Sequence, residues 1–288
     1  MESLWNRTRF IMKKYGIDAQ KSLGQNFLID ENVIEDIVDA AAVNNEDLVI
    51  EIGPGIGALT EKLLERAGKV ICIELDTRML EILNDRFYLY KNFELINNDV
   101  LKVDLQKLIN ENLLQAESRL KKAKIVANLP YYITTPIIMK ILEEKLNLES
   151  ITVMIQKEVA DRITAVPGDK LSGAITYSVY YFAESEKVRI VEKNSFIPEP
   201  KVQSEVIKLK PRKEPVIRNL SNKETFFKVI KASFMQRRKT LVNALVSGNI
   251  FETKEQAKQA LNSLGFDENV RGESLTIEDF AKISNAIK

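Results

Sequence analysis

The chain has 288 residues, and its 42 Lys and Arg nearly balance 41 Asp and Glu, which is typical of a globular protein of one or two domains. Histidine is absent and Cys72 is the single cysteine. This excludes Ser-His and Cys-His nucleophile pairs and an internal disulfide, and we expect no metal site. The sequence has no apolar run of the ~20 residues that span a membrane and no recognisable signal peptide, so we expect a cytoplasmic protein.

Residues 1–20 are predicted to form a basic, weakly ordered arm. A helix at 31–42 follows, because Asp30 suits its N-cap and an apolar face begins at Val33. Five buried strands are predicted at 48–52, 69–75, 93–97, 124–127 and 151–155. The helices predicted between them lie at 57–67, 77–89, 104–112 and 136–146. This alternation predicts an α/β fold with a parallel, doubly wound sheet.

The remaining residues predict a second, smaller helical domain. Further helices are expected at 157–164 and 172–183, and an antiparallel strand pair at 187–192 and 204–210. After Pro211 the strand pattern stops, and three helices are predicted at 223–247, 253–264 and 276–287. The predicted division is an arm at 1–20, a sheet domain at 21–211, a linker at 212–222 and a helical domain at 223–288.

Three predicted strands end in residues that suit a nucleoside. Residues 51–57 (Glu-Ile-Gly-Pro-Gly-Ile-Gly) follow the first strand, and glycines there let the backbone approach a ligand closely. Glu74 ends the second strand, where a carboxylate can accept both ribose hydroxyls. Asp99 follows the third strand and suits an adenine amino group. Each acid alone also fits a solvated strand end, and the site could hold a nicotinamide dinucleotide or S-adenosylmethionine.

The fourth strand ends in Asn128-Leu129-Pro130-Tyr131, which suits the grip of an aromatic amine. The Asn128 oxygen and the Leu129 or Pro130 carbonyl can accept hydrogen bonds from an NH₂ group. Pro130 fixes the local backbone, and Tyr131 offers a ring on which a base can stack. Alone, the segment also fits a strand followed by a proline-containing turn.

Positive charge is concentrated in one part of the chain. Residues 187–239 contain 15 Lys and Arg against 5 Asp and Glu, whereas the chain as a whole carries +1. A basic block of this kind indicates a polyanion partner, although a solvated surface is the alternative. Within it, the RNA-binding candidates are Lys201, Arg237, Arg238 and Lys239.

From about Lys14 to its C-terminus, the chain resembles the ribosomal RNA adenine dimethyltransferases, most closely the bacterial branch that acts near the 3′ end of 16S RNA. The motifs that carry the resemblance are KSLGQNFL at 21–28, EIGPGIGALT at 51–60, Glu74, Asp99, NLPY at 128–131, QKEVADR at 156–162, FxPxPKVxS at 196–204, QRRKTL at 236–241 and NAL at 243–245. Tyr132 departs from the asparagine that many members have after NLPY. The resemblance implies a Rossmann-like, S-adenosylmethionine-dependent methyltransferase sheet with a smaller all-α C-terminal domain.

The resemblance also implies a role for particular residues. The residues implied to contact S-adenosylmethionine are Asn26, Leu28, Gly53, Glu74, Asp99 and Asn128. Tyr131 and Phe196 would sandwich the target adenine, although Phe196 also fits plain core packing. The implied activity is dimethylation of the N6 amines of two adjacent adenosines in the 30S subunit, with a role in the biogenesis of that subunit. The sequence does not fix the oligomeric state, and we expect a monomer.

Catalysis would then consist mainly of positioning. Hydrogen bonds to Asn128 and to a neighbouring carbonyl would localise the lone pair of the adenine amine, which attacks the methyl group of the sulfonium. The proton can leave to water, which agrees with a chain that lacks histidine. Dimethylation requires the once-methylated amine to turn or rebind.

Three other functions fit parts of the sequence. A resistance methyltransferase acting on 23S RNA would use the same chemistry, but the extended C-terminal part favours the 16S type. A non-catalytic RNA-binding assembly factor is disfavoured by the intact NLPY and glycine motifs. An NAD-linked oxidoreductase is disfavoured because the fourth strand end does not suit one, and histidine is missing as a proton donor.

Overall fold

A sheet of alternating strands and helices forms the larger part of the molecule, as predicted. The computed structural model describes residues 3–20, 24–114, 119–236 and 239–287. Within these residues the strands are β1 (Phe27–Leu28), β2 (Asp47–Ile52), β3 (Lys69–Glu74), β4 (Phe93–Asn97), β5 (Lys122–Asn128), β6 (Ser150–Gln156), β7 (Ala183–Val191), β8 (Phe196–Ile197) and β9 (Ser204–Pro211).

The helices of the same described residues follow the predicted order, with one further helix at 4–14 and with two helices in place of the one predicted at 223–247. They are α1 (Leu4–Lys14), α2 (Glu31–Ala41), α3 (Ala58–Arg66), α4 (Thr77–Phe87), α5 (Leu105–Leu113), α6 (Thr134–Glu143), α7 (Lys157–Ile163), α8 (Ala174–Phe182), α9 (Lys223–Met235), α10 (Leu241–Ser247), α11 (Lys254–Ser263) and α12 (Ile277–Ala286). In this part of the chain, no helix combines the length and the apolar character needed to cross a membrane.

The main sheet has the strand order β4-β3-β2-β5-β6-β9-β7 among the described residues. Neighbours from β4 to β6 are parallel, and β9 runs antiparallel to β6. The buried apolar runs of β2, β3, β5 and β6 explain why these strands lie inside the sheet. The order of the strands reverses between β2 and β5, and this switch point is where an open α/β sheet binds its ligand.

The segment before the sheet is more ordered than the predicted arm. Residues 4–14 form α1, whose Leu4 lies in the hydrophobic core together with Ile17. The polar Thr8 on the same face is also buried. The prediction missed this helix because its basic residues mask a narrow apolar face that becomes recognisable only from its packing.

The chain forms two compact units, whose bounds differ from the predicted division. One comprises Met1–Ala160 and Glu186–Pro211, and the other comprises Asp161–Ser185 and Arg212–Lys288. Residues 161–185 thus group with the C-terminal helices rather than with the sheet. The reason is aromatic packing within that unit, since the Tyr177 ring of α8 meets Phe280 edge-on at 4.9 Å.

The long helix predicted at 223–247 is two helices, α9 and α10. Gly248, just after α10, lies so close to Ala232 of α9 that an added Cβ would be 2.3 Å from the Ala232 Cβ. In one straight helix these residues would be about 24 Å apart, so the chain must fold back between them. Thr253 and Thr276 cap α11 and α12, because each side chain accepts a backbone hydrogen bond in the first turn.

Candidate active site

A cavity lies at the carboxyl ends of β2, β3, β4 and β5, around the switch point of the sheet. Its empty volume is about 1080 Å³, part of which is open to solvent. Each of the four strand ends contributes, and the segment 24–28 before α2 closes another side. The cavity is therefore large enough for a nucleoside-sized ligand, and it lies where parallel strands present their ends to a common crevice.

The glycine-rich turn after β2 forms the floor of the cavity. Gly53, Gly55 and Gly57 all have positive φ values, of 68°, 58° and 83°. At Gly57 an added Cβ would also lie 2.5 Å from the Phe87 ring. The turn therefore needs glycine for its backbone conformation, and at Gly57 also for lack of space. This lets the main chain approach a ligand directly.

Glu74 at the end of β3 is a buried acid whose orientation is fixed by backbone groups. Its side chain accepts hydrogen bonds from the Gly55 N–H at 3.1 Å and the Asp76 N–H at 2.8 Å. It lines the cavity while it is only 7% exposed, and burial raises its pKa above the ordinary value. A fixed carboxylate of this kind can accept hydroxyl hydrogen bonds from a ribose.

Asp99 lies on the next part of the cavity wall. Its Oδ1 accepts the Leu101 N–H at 3.0 Å and so caps the short turn after β4. Asp99 is partly exposed and lines the cavity together with Asn98 and Val100. The capping bond fixes the carboxylate and leaves Oδ2 available to accept a hydrogen bond from a base or ribose.

The corner at the end of β5 holds two acceptor groups at the cavity. The Asn128 Nδ2 donates to the Asn26 carbonyl at 3.4 Å, so that the Asn128 Oδ1 is left as an acceptor. The Pro130 carbonyl already accepts from the Ile133 N–H and the Thr134 hydroxyl. Among the described residues no donor engages the Leu129 carbonyl. Of the two predicted carbonyls, Leu129 is therefore the one that remains free to grip an amine.

Tyr131 is held in place by a hydrogen bond to another strand. Its hydroxyl lies 2.6 Å from the Ser204 Oγ at the start of β9. The ring is partly buried and lines the cavity, and burial raises the pKa of the phenol. A phenol that stays neutral and tethered suits a stacking surface better than an acid or a base.

A family model described as ribosomal RNA adenine dimethylase matches residues 16–288 of this chain. The chain belongs to that family. The dimethylase is thus an S-adenosylmethionine-dependent enzyme that methylates adenine in ribosomal RNA, and the predicted α/β methyltransferase fold is confirmed.

Relatives of the dimethylase cover nearly its whole length. The ribosomal RNA small subunit methyltransferase A of Bacillus pumilus (strain SAFR-032) is 50% identical over 98% of this chain and 96% of its own. The protein of the same name from Listeria innocua is 50% identical over 97% and 94%.

Two solved structures share the fold over most of this chain. A dimethyladenosine transferase from Plasmodium falciparum aligns with a TM-score of 0.69 and 28% identity over 89% of this chain and 95% of its own. The 23S rRNA methyltransferase ErmE aligns with a TM-score of 0.64 and 25% identity over 91% and 99%.

The structure brings all the predicted cofactor residues of the dimethylase to one cavity. Those that line it are Asn26, Leu28, Gly53, Glu74, Asp99 and Asn128. Leu129, Pro130 and Tyr131 line it as well. The six were assigned from the resemblance. The strand ends alone indicate Glu74 and Asp99 for a bound nucleoside and Asn128 for the aromatic amine.

Phe196 is the predicted site residue that the structure does not place at the cavity. Its side chain is 3% exposed and belongs to the hydrophobic core, and in β8 it pairs with Leu28 of β1. The predicted loop thus begins as a short strand. The sandwich of adenine by Phe196 stays a prediction, and in this structure the ring has no exposed face for a base.

Other residues of the cavity were missed as site residues. Glu51 lines it from inside β2, Leu75 and Val100 follow the two acids, and Tyr132 follows NLPY. Glu51 and Tyr132 stood within or beside the motifs, but nothing in their spacing indicated which side they face. Of the RNA-binding candidates, Lys201 and Lys239 are exposed, and Arg237 and Arg238 lie outside the described residues.

Proposed function

We propose that this dimethylase transfers methyl groups to the N6 amines of two adjacent adenosines near the 3′ end of 16S rRNA, within the 30S subunit or its precursor. The observation that carries the proposal is the pair of free acceptors, the Asn128 Oδ1 and the Leu129 carbonyl, in the same cavity as Glu74 and Asp99. The 50% identity to enzymes named for the small subunit supports 16S rather than 23S RNA as the substrate.

S-adenosylmethionine supplies the methyl group as an electrophile when it is bound. The structure fits this cofactor, because fixed acids, a glycine floor and a neutral wall meet around a space of suitable size. Glu74 would accept the ribose hydroxyls and Asp99 an adenine amino group, while Gly53 gives the ligand close access to the backbone. Asn26 and Leu28 would form the wall contributed by the N-terminal segment.

The residues after β5 act on the amine of the target adenine. The Asn128 oxygen and the Leu129 carbonyl accept its two N–H groups, which favours a pyramidal nitrogen with a localised lone pair. Pro130 keeps the backbone of this corner rigid, and its own carbonyl is used to start α6. Asn128 does not ionise, so its contribution is positioning and electrostatics rather than proton abstraction.

Tyr131 holds the face of the base. The target adenosine must leave its stack to reach the cavity, and a base that stacks on an aromatic ring recovers about 1–3 kcal/mol. The hydrogen bond to Ser204 fixes the ring before the substrate binds. Phe196 instead supports the wall contributed by Asn26 and Leu28, through its pairing with Leu28. After the first transfer one N–H remains, and either acceptor can hold it.

Substitution of Asn128 tests the grip. We expect Asn128→Ala to lower the kcat for methylation of 30S subunits roughly 100-fold or more, because one of two preorganised acceptors is lost. Titration calorimetry should show that S-adenosylmethionine still binds. The control is Asn110→Ala on the exposed surface of α5, which should leave both quantities unchanged. Unchanged turnover by Asn128→Ala would refute the proposed role.

A charge reversal tests the basic RNA-binding residues. Arg237→Glu combined with Arg238→Glu should weaken binding to 30S subunits and flatten its dependence on salt, because fewer counterions are released. The affinity is measured at several salt concentrations for both proteins. An unaltered slope would contradict an RNA contact at these residues. The exposed Lys201 and Lys239 are each proposed to contact RNA as well.

The choice of substrate and the wider role are tested together. Purified 30S and 50S subunits that lack the modification are offered separately to the enzyme, and methylated fragments are mapped by mass. We expect methylation of 30S only, by a cytoplasmic monomer that also assists small-subunit biogenesis. Methylation of 50S alone would favour the 23S alternative. The structural similarity to the 23S rRNA methyltransferase ErmE is the reason to test it.

A further inference from the structure

Helix α1 carries aromatic and basic side chains on a solvent-exposed surface that the proposed function does not use. This surface, called the α1 face, consists of Trp5, Arg9, Phe10 and Lys13. Trp5 is 43% exposed and Phe10 is 65% exposed. The Arg9 guanidinium lies over the Trp5 ring, 4.8 Å from its centroid. Such large exposed aromatic surfaces typically mark an interaction site.

The opposite side of α1 fixes the helix to the sheet unit. Leu4 and Thr8 are buried, and Ile17 just beyond the helix joins the same core. Arg7 forms ion pairs with Glu31 at 3.0 Å and with Glu61 at 3.4 Å. The exposed rings therefore stand on an anchored helix, so that little conformational entropy is lost when a partner binds them.

The position of α1 relates it to the cavity. Glu31 and Glu61 lie in the first turns of α2 and α3, and α3 begins where β2 ends. The helix therefore lies on the edge of the sheet that also holds the cavity. The chain then runs from α1 to residues 24–28 of the cavity wall, and Arg78 donates to the Asp18 carbonyl at 3.4 Å on the way.

The charge of the α1 face indicates its partner. Among the described residues, no carboxylate forms an ion pair with Arg9 or Lys13. Arg9 and Lys13 line a groove that also contains one acid, Asp18, and the apolar Ile197 of β8. Unpaired cations next to exposed rings suit a strand of nucleotides, whose phosphates need positive charge and whose bases stack on aromatic faces. A protein partner would fit this face less well, because the core of a protein interface is depleted of charged residues and the two cations would stay uncompensated there.

We propose that the α1 face binds an unpaired stretch of the ribosomal RNA substrate beside the target adenosines. Phe10 and Trp5 stack on bases, and Arg9 and Lys13 neutralise phosphates. The inference rests on the proposed function for the identity of the RNA, and it adds a second contact that holds the RNA while one base occupies the cavity.

Direct binding measurements with matched variants test the α1 face. We expect Phe10→Ala to weaken binding to unmethylated 30S subunits roughly five- to 150-fold, the range for loss of one stacked base, and Phe10→Trp to restore it. The control is Tyr88→Ala, an exposed aromatic that directly follows α4 and lies outside the groove of the α1 face. Arg9→Glu should reduce the salt slope by about 1, whereas Lys91→Glu near Tyr88 should not.

The outcomes separate this inference from the proposed function. S-adenosylmethionine affinity should be equal in all variants, which shows that each one folds. If Phe10→Ala binds 30S subunits as tightly as Tyr88→Ala does, and Arg9→Glu keeps the parent salt slope, the α1 face is not an RNA contact. Methylation is read separately in the parent protein, so that loss of the 16S assignment would leave the binding comparison intact.

Discussion

Strand β2 carries a buried carboxylate near each end, and the two are held in opposite ways. Asp47 at the start is fully buried and pairs with the buried Lys124, whose Nζ lies 2.8 Å from its Oδ2. Glu51 near the other end accepts the Thr60 hydroxyl at 2.6 Å and the Cys72 thiol at 3.5 Å. No described cation lies within ion-pair distance of Glu51, and burial raises its pKa to about 7.

The difference separates the stabilising edge of the sheet from the functional edge. A buried ion pair whose partners are both present costs little, but either charge alone would be expensive. Glu51 has no such compensation and instead lines the cavity, where its charge depends on pH. The chain thus satisfies its charges at the amino edge and leaves an acid poorly compensated at the carboxyl edge, where ligands bind.

Removal of the amino-edge cation should have the largest effect. We expect Lys124→Met to lower the free energy of unfolding by about 3–5 kcal/mol, because Asp47 is left as an uncompensated buried charge. Urea unfolding at neutral pH measures the loss. Lys121→Met is the control, since Lys121 is exposed and its ion pair with Glu46 lies at the surface. A loss no larger than that of the control would contradict the comparison.

Neutralisation of Glu51, the acid at the carboxyl edge, should instead raise the free energy of unfolding. Between pH 4.5 and 7 the folded chain keeps a proton on Glu51 that the unfolded chain has released, so stability falls as pH rises through this window. Glu51→Gln should remove this slope and be more stable than the parent at pH 8 by about 3 kcal/mol. Urea unfolding across the pH range measures this, with the exposed Glu81→Gln as the control. Parallel pH curves for parent and Glu51→Gln would contradict it.

Loss of the hydroxyl partner should have the smallest effect. Thr60 lowers the pKa of Glu51 through its hydrogen bond, so Thr60→Val should move the pKa above about 7. We expect a loss of stability of about 1 kcal/mol at pH 5 and about 2 kcal/mol at pH 8, where the bond goes to a charged acceptor. In the Glu51→Gln background the difference between the two pH values should disappear. If it persists there, the pH effect comes from another group.

The sequence was sufficient for those parts of the fold that depend on local patterns. The strands of the parallel sheet were predicted within two residues at each end, because their apolar runs are bounded by turns. Glu74, Asp99 and Asn128 could be placed in one site from the residues alone, since parallel strands present their carboxyl ends to the same edge.

The rest depends on packing between distant residues. The burial of Phe196 requires its pairing with Leu28, and the break between α9 and α10 requires the close approach of Gly248 to Ala232. Neither contact leaves a signal in the local periodicity. The Leu129 carbonyl is the free acceptor because the Pro130 carbonyl already accepts hydrogen bonds at the start of α6, and this too could not be predicted from the sequence.

The pairing of β1 with β8 joins two segments that are synthesised far apart in time. Phe27 and Leu28 line the cavity, and their strand partners are Ile197 and Phe196. A nascent chain therefore lacks support for this wall until residue 197 has left the ribosomal exit tunnel. A chain that terminates before residue 196 would therefore lack the strand that supports this wall of the cavity.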